Sequence, residues 1–265
     1  MTTDKDSDRL ERFRQAGSFA VYYGRGQSEI LSQYDIAIVE PAGQNEQSLA
    51  ALQAAGTLTI AYVSITEIPE YDPHIKMLRP SDYLNVNGSV VSNVEYRTAL
   101  ADLRSKNWVN LLFHRIGRLI RLADYDGIFM DTISNVEWTV LPAGVRAEQQ
   151  AAAVEIVRHL RTLYPGHILL QNNGLETICE QTAPYINAVC WENPDFVSPE
   201  TFRWHENVRL RLQRLARKHG IRVLALLEEG VMEEPRMESA VYWAGREQYL
   251  VCRSARHYLD VSAPG

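Results

Sequence analysis

Short, continuously apolar runs recur along the chain, and between them the apolar positions change to a helical spacing. The runs are FAVYYG (19–24), DIAIVE (35–40), LTIAYVSI (58–65), GIFMDT (127–132), HILLQNN (167–173), AVCWEN (188–193), RVLALLEE (222–229) and QYLVCR (248–253). Most do not alternate apolar with polar, as half-exposed antiparallel strands do; they read as parallel strands covered on both faces. In 147–164, Ala153, Ile156, Val157, Leu160, Leu163 and Tyr164 fall on one helical face. In 198–219, Ser198 is the predicted N-cap, Pro199 and Glu200 suit the first turn, and Val208, Leu212, Leu215, Ala216 and His219 form the inner stripe. Arg217, Lys218 and Gly220 close that helix. A shorter helix is predicted from Gln44 to Ala55, ended by Gly56, and the longest over 96–122, with Trp108, Leu111, Leu112 and Ile116 inward.

Eight strands alternating with helices predict an α/β protein, a (β/α)8 barrel in one domain over residues 1–265. Residues 1–17 form an N-terminal extension, and 66–95, rich in Pro, Asp, Asn and Gly, a long loop after the third strand. A doubly wound open sheet is the competing fold. It would carry a Gly-rich phosphate turn after its first strand, and Tyr23-Gly24-Arg25-Gly26-Gln27-Ser28 matches that turn poorly.

Composition mainly excludes. A net charge of −6 and a pI near 5.7 argue against nucleic acid and anionic membrane surfaces, and fit a cationic ligand. Cys179, Cys190 and Cys252 show no CxxC spacing, and the seven histidines lack HxxxH or HExxH spacing, so neither a disulfide framework nor a zinc knuckle is expected. The N-terminal MTTDKDSDRLERF has no apolar segment, and no run approaches a membrane helix; a soluble, cytoplasmic protein is the expectation. Asn87-Gly88-Ser89 is a glycosylation sequon, which carries weight only in a secreted chain.

The ends of the strands carry the candidate chemistry. Asp126 precedes its strand and Asp131 closes it, and five residues of extended chain set them roughly 16 Å apart, at opposite ends of a barrel. The C-terminal ends of barrel strands form the active face. There the sequence places Tyr22 and Tyr23, of which alternation sends only one inward; Tyr62, Ser64 and Glu67; Gln171, Asn172 and Asn173; Trp191, Glu192 and Asn193; and Glu228 and Glu229. Carboxylates, amides and aromatic rings without Arg or Lys suit a neutral or cationic polyhydroxylated ligand. A strand-terminal acid also serves as a helix cap or surface charge, the reading preferred for Glu40, Glu229 and Asp35, and Trp191 fits the core as well as the groove. Asp131 and Glu192 stand apart because each ends an otherwise buried strand.

In order, VYYG (21–24), YDIAIVEP (34–41), AYVSITE (61–67), DGIFMDT (126–132), LLQNNGLE (169–176) and AVCWEN (188–193) resemble glycoside hydrolase family 114, the endo-α-1,4-polygalactosaminidase-like barrels that include Pel hydrolase domains and spherulin-4-like proteins. The resemblance spans residues 19–260 and implies cofactor-free hydrolysis of α-1,4-linked, galactosamine-rich polysaccharide, a polymer that is cationic where its amines are free. It implies that Asp131 and Glu192 are catalytic, with Tyr23, Tyr62, Ser64, Glu67 and Asn172 lining the groove; Asn173, Trp191 and Glu228 join them as candidate substrate contacts. Glu192 is the expected acid, its pKa raised beside Trp191, with Asp131 ionised. The sequence departs from the family pattern at Ser134, where a second aspartate is usual, and at Thr66, where glycine is frequent; many relatives are exported. A sugar-binding barrel without turnover and a barrel lyase or isomerase acting on a small metabolite are the rival readings.

Overall fold

The computed structural model describes residues 4–264, excluding the side chain of Arg256. Each apolar run becomes a strand: β1 Phe19–Tyr22, β2 Ile36–Val39, β3 Leu58–Ser64, β4 Gly127–Asp131, β5 Ile168–Asn172, β6 Ala188–Glu192, β7 Arg222–Glu228 and β8 Leu250–Ser254. They pair in parallel and in chain order. β8 returns beside β1, where the Val21 N–H meets the Cys252 thiol and the Tyr23 N–H bonds the Tyr258 carbonyl at 2.7 Å. The result is a nearly closed eight-stranded barrel wrapped by helices, as the alternation predicts.

The helices are α1 Asp4–Gln15, α2 Ser28–Leu31, α3 Glu46–Ala54, α4 Lys106–Arg121, α5 Ala143–Leu163, α6 Ile178–Thr182, α7 Phe202–His219 and α8 Glu234–Arg246. Strand alternation divides the apolar residues into two cores. Val21, Ile38, Ile60, Phe129, Leu170 and Leu226 fill the barrel, while Val39, Val63, Ile128, Met130, Leu169 and Val189 meet the helices outside. Among the described residues no helix is long and apolar enough to cross a membrane.

Several boundaries differ from the sequence reading. α7 begins at Phe202, because the Asp195 carboxylate binds the Ser198 hydroxyl and the N–H groups of Val197 and Ser198 in a preceding turn. Gly220 ends it at φ 71°, a left-handed position that glycine takes without strain. α4 begins only at Lys106, capped by Ser105, so α5, at 21 residues, is the longest helix. Leu163 on α5 is exposed rather than part of the buried stripe.

The segment after β3 is structured. Glu67–Pro69, Ser92–Asn93 and Thr98–Leu100 form a small antiparallel sheet, and Asn85–Val86 pairs with Ser89–Val90. Asn87 and Gly88, both at positive φ, turn that hairpin. At the other end of the barrel, α1 supplies Phe13 to the interior core, and Arg222 donates to the carbonyls of Phe13 and Ala16. Arg9, 3 % exposed, donates through Nε to Asp126 Oδ1 at 3.0 Å, and Asp126 Oδ2 accepts from the Thr59 N–H at 2.9 Å. Residues 4–15 of the expected extension thus form a helix that closes the bottom of the barrel.

Candidate active site

The parity that sends Phe129, Leu170, Cys190 and Leu226 into the barrel sends Asp131, Asn172, Glu192 and Glu228 inward two residues later, at its top. Asn172 stands between the two predicted catalytic acids. Its Nδ2 donates to Asp131 Oδ1 at 2.7 Å and to Glu192 Oε1 at 3.1 Å. Two oxygens at those distances from one nitrogen are separated by at most about 5.8 Å, and by about 5 Å if the N–H bonds diverge at the roughly 120° of a planar amide. The cost falls on the other half of the amide: Asn172 Oδ1 is buried without a hydrogen-bond partner.

Asp131 also accepts from the Thr132 N–H and the Tyr62 hydroxyl. Glu192 accepts at Oε2 from Asn173 Nδ2 at 3.0 Å. These donors are all neutral, and the charges that bear most on the pair are further acids. Burial pushes the Glu192 carboxyl up to about 7, and the neighbouring charge of Asp131 adds to the rise. Burial raises Asp131 too, but the amide, backbone and phenol donors favour its ionised form. Glu192 is thereby placed to hold and release a proton near neutral pH, as a general acid and base must.

The residue after each of β4, β5 and β6 is left-handed: Thr132 (φ 59°), Asn173 (φ 51°) and Asn193 (φ 48°). Asparagine tolerates this region, whereas a β-branched threonine does so only under constraint. Thr66 supplies the constraint, donating from its backbone N–H to Thr132 Oγ1 at 3.0 Å and from its hydroxyl to the Thr132 carbonyl at 2.7 Å. Thr66 thus helps to hold the turn behind Asp131. Asn173 Oδ1 accepts from the Glu192 N–H at 3.1 Å, and Asn193 Oδ1 from the Glu228 N–H at 2.8 Å. The same device sets two successive strand ends.

The other predicted residues divide. Tyr23 packs edge-on against Tyr62, with ring centroids 4.8 Å apart, and both side with the acids. Glu228 stands one inward position above Glu192, which pairs in register with Leu226. Trp191 does not line the groove. Alternation turns it outward, where it lies 1 % exposed against Phe196 and His205, so the rise at Glu192 comes from burial and Asp131 rather than from this ring. Glu67 is also not free to meet a ligand. Oε1 accepts from Asn93 at 3.1 Å and from Asn135 at 2.7 Å, and Oε2 from Thr98 at 2.7 Å, pinning the small sheet above β3. Ser64 is committed likewise, donating to the Glu67 carbonyl at 2.9 Å.

Ser134 is half-buried in the turn after β4, and Glu137 caps α6, accepting from the N–H groups of Thr177 and Ile178 at 2.7 and 2.8 Å. Two residues that the sequence reading did not single out as site residues join the site. One is Thr132, whose left-handed turn no local pattern announces. The other is Tyr258, beyond β8, with its ring 5.2 Å from that of Tyr23. Among the described residues no group of three or more His, Cys, Asp or Glu side chains is arranged to hold a metal ion.

Comparison with known proteins agrees with the barrel fold. The glycoside hydrolase domain of PelA from Pseudomonas aeruginosa superposes with a TM-score of 0.75 at 21% identity, over 93% of this chain and 97% of that one. Ega3 from Aspergillus fumigatus, solved in complex with galactosamine, superposes with a TM-score of 0.68 at 13% identity, over 91% of this chain and 90% of that one. The α-galactosidase TtGalA from Thermus thermophilus gives a TM-score of 0.60 at 12% identity, over 93% of this chain and 61% of that one. A search of curated proteins returns no match. At these identities the likeness speaks for the barrel fold. A family profile reaches further, matching residues 2–198, about three-quarters of the sequence and the stretch that holds both Asp131 and Glu192. The chain belongs to glycoside-hydrolase family GH114.

Proposed function

We propose that this glycoside hydrolase cleaves α-1,4 linkages in galactosamine-containing polysaccharide, with Asp131 as nucleophile and Glu192 as acid and base. The observation that carries the reading is the shared Asn172 nitrogen, which holds one oxygen of each carboxylate within hydrogen-bonding distance. Retaining glycosidases hold their carboxyl groups about 5–5.5 Å apart, whereas inverting ones leave about 6.5–9.5 Å for a water molecule. The separation here favours retention.

In the first step Asp131 attacks the anomeric carbon while Glu192 gives its proton to the leaving oxygen. The glycosidic C–O bond breaks and a glycosyl ester on Asp131 forms. In the second step the ionised Glu192 takes a proton from water, whose oxygen displaces Asp131 and restores both groups. Tyr62 and the Thr132 N–H hold the nucleophile, and Tyr23 offers an aromatic surface at the same rim. The galactosamine unit is supported by family membership and by the PelA and Ega3 barrels, the second of which was solved with that sugar. Free amines would make the polymer cationic, and the carboxylates of Asp131 and Glu228 at one mouth would draw it in.

The test is release of reducing ends from partly deacetylated galactosaminan. The wild-type enzyme should release them with retained anomeric configuration in the first product, seen by proton NMR. Asp131→Asn and Glu192→Gln should each lose about 10³-fold or more in kcat. Saturable binding without new reducing ends would replace this reading with a sugar-binding barrel, and inverted product would remove the nucleophile role from Asp131.

A further inference from the structure

The family match ends at residue 198, yet the chain after β8 comes back to the acids. His257 (φ 60°) and Tyr258 (φ 57°) are both left-handed, a conformation non-glycine residues keep only when their surroundings enforce it. Two backbone contacts do so. The Tyr23 N–H donates to the Tyr258 carbonyl at 2.7 Å, and the His257 N–H donates to Glu228 Oε1 at 2.8 Å. The outcome is a phenol hydroxyl 3.4 Å from Glu192 Oε1 and 3.4 Å from Glu228 Oε2.

Both distances are long for an O–H···O hydrogen bond, so the hydroxyl is committed to neither acid. It has one proton to donate and two acceptors, and the proton turns to whichever carries more charge. While Glu192 holds its own proton, Glu228 is the stronger acceptor. Once Glu192 has protonated a leaving oxygen, its new charge competes for the same hydroxyl. Glu228 is placed for this partnership, since Asn193 fixes its backbone N–H as Asn173 fixes that of Glu192.

We propose that Tyr258 is a positioning residue for Glu192, its hydroxyl shared with Glu228 and following the charge of the acid through the two half-reactions. The proposal rests on the hydrolytic reading above and adds a role for a segment outside the family match. The groups facing Glu192 are Asp131 on β4, Asn172 and Asn173 at the end of β5, Glu228 on β7, Tyr258, Tyr23 after β1 and Cys190 on its own strand; the charge of Glu192 also reaches Tyr96 on the covering segment. Removing a donor from this set makes the ionised form of Glu192 costlier, and removing the Glu228 charge makes it cheaper.

The experiment compares Tyr258→Phe and Glu228→Gln. In Tyr258→Phe, kcat should fall about tenfold and the alkaline limb of kcat/KM should move to higher pH by roughly half a unit or more. In Glu228→Gln the same limb should move to lower pH. A purely structural role for the ring would lower activity without moving the limb. The Glu192 carboxyl should also be titrated without substrate, by the carbon NMR shift of glutamate labelled at its carboxyl carbon, where the two variants should again move in opposite directions. If the Glu192 titration stays in place in both variants, or moves the same way in both, the proposal is wrong. If it moves as stated while the wild-type enzyme cuts no polymer, the hydrolytic reading fails and the positioning role stands.

Discussion

Two aspartates bracket strand β4, and the barrel treats them in opposite ways. Asp126, at the closed end, has a guanidinium from Arg9 on one oxygen and the Thr59 N–H on the other. Asp131, five residues on at the open end, has neutral donors only and shares its surroundings with Glu192. A buried charge with a partner is structural. A buried charge left with amides, a phenol and another acid costs stability, and cleavage of a substrate is what such a cost supports. One strand therefore carries a structural and a chemical carboxylate, and α1 makes the difference by closing one mouth with Arg9.

The comparison can be broken first at its closed end. Arg9→Met leaves Asp126 buried without its cation, and the loss of a partner from a buried ion pair costs about 3–5 kcal/mol. Thermal or denaturant unfolding should show that loss, roughly ten degrees in Tm for a chain of this size, with kcat per folded molecule close to wild type. A variant as stable as wild type would mean that α1 does not secure the barrel bottom.

The open end should respond in the opposite sense and by less. The Glu192 carboxyl rises from its ordinary 4.5 to about 7 in the folded protein. Below about pH 4.5 it is neutral whether folded or unfolded, and no penalty applies. As pH climbs from there to about 7, the unfolded chain ionises first and folding loses stability, a loss complete above pH 7. Glu192→Gln removes that loss. Its Tm should exceed wild type by several degrees at pH 8, and the gain should vanish near pH 4. A destabilised variant at pH 8 would contradict the strain assigned to this carboxylate.

Much of the site was legible because strand parity is simple. Once the eight runs are taken as barrel strands, Asp131, Asn172, Glu192 and Glu228 share the parity of interior residues, and all four turn inward. Trp191 fails by the same rule, since its immediate neighbour Glu192 already holds the inward position. Glu67 could not be told from a ligand-binding acid, because its partners Asn93, Thr98 and Asn135 lie 26, 31 and 68 residues away. The covering segment after β3 was read as a loop although Asn87-Gly88 is a hairpin turn signal, since the strands beside it are only two residues long. Tyr258 reaches the acids through two consecutive left-handed residues, which leave no periodicity to read. Arg9 reaches Asp126 across 117 residues, a pairing that no local pattern announces.

The most direct measurement sets the two aspartates of β4 against each other. Asp126→Asn and Asp131→Asn are each scored for Tm and for reducing ends released per folded molecule. Asp126→Asn should lower Tm and leave turnover per folded molecule near wild type. Asp131→Asn should keep or raise Tm and abolish turnover. Equal turnover in the two variants, or a loss confined to Asp126→Asn, would contradict the assignment of chemistry to the open end of the barrel.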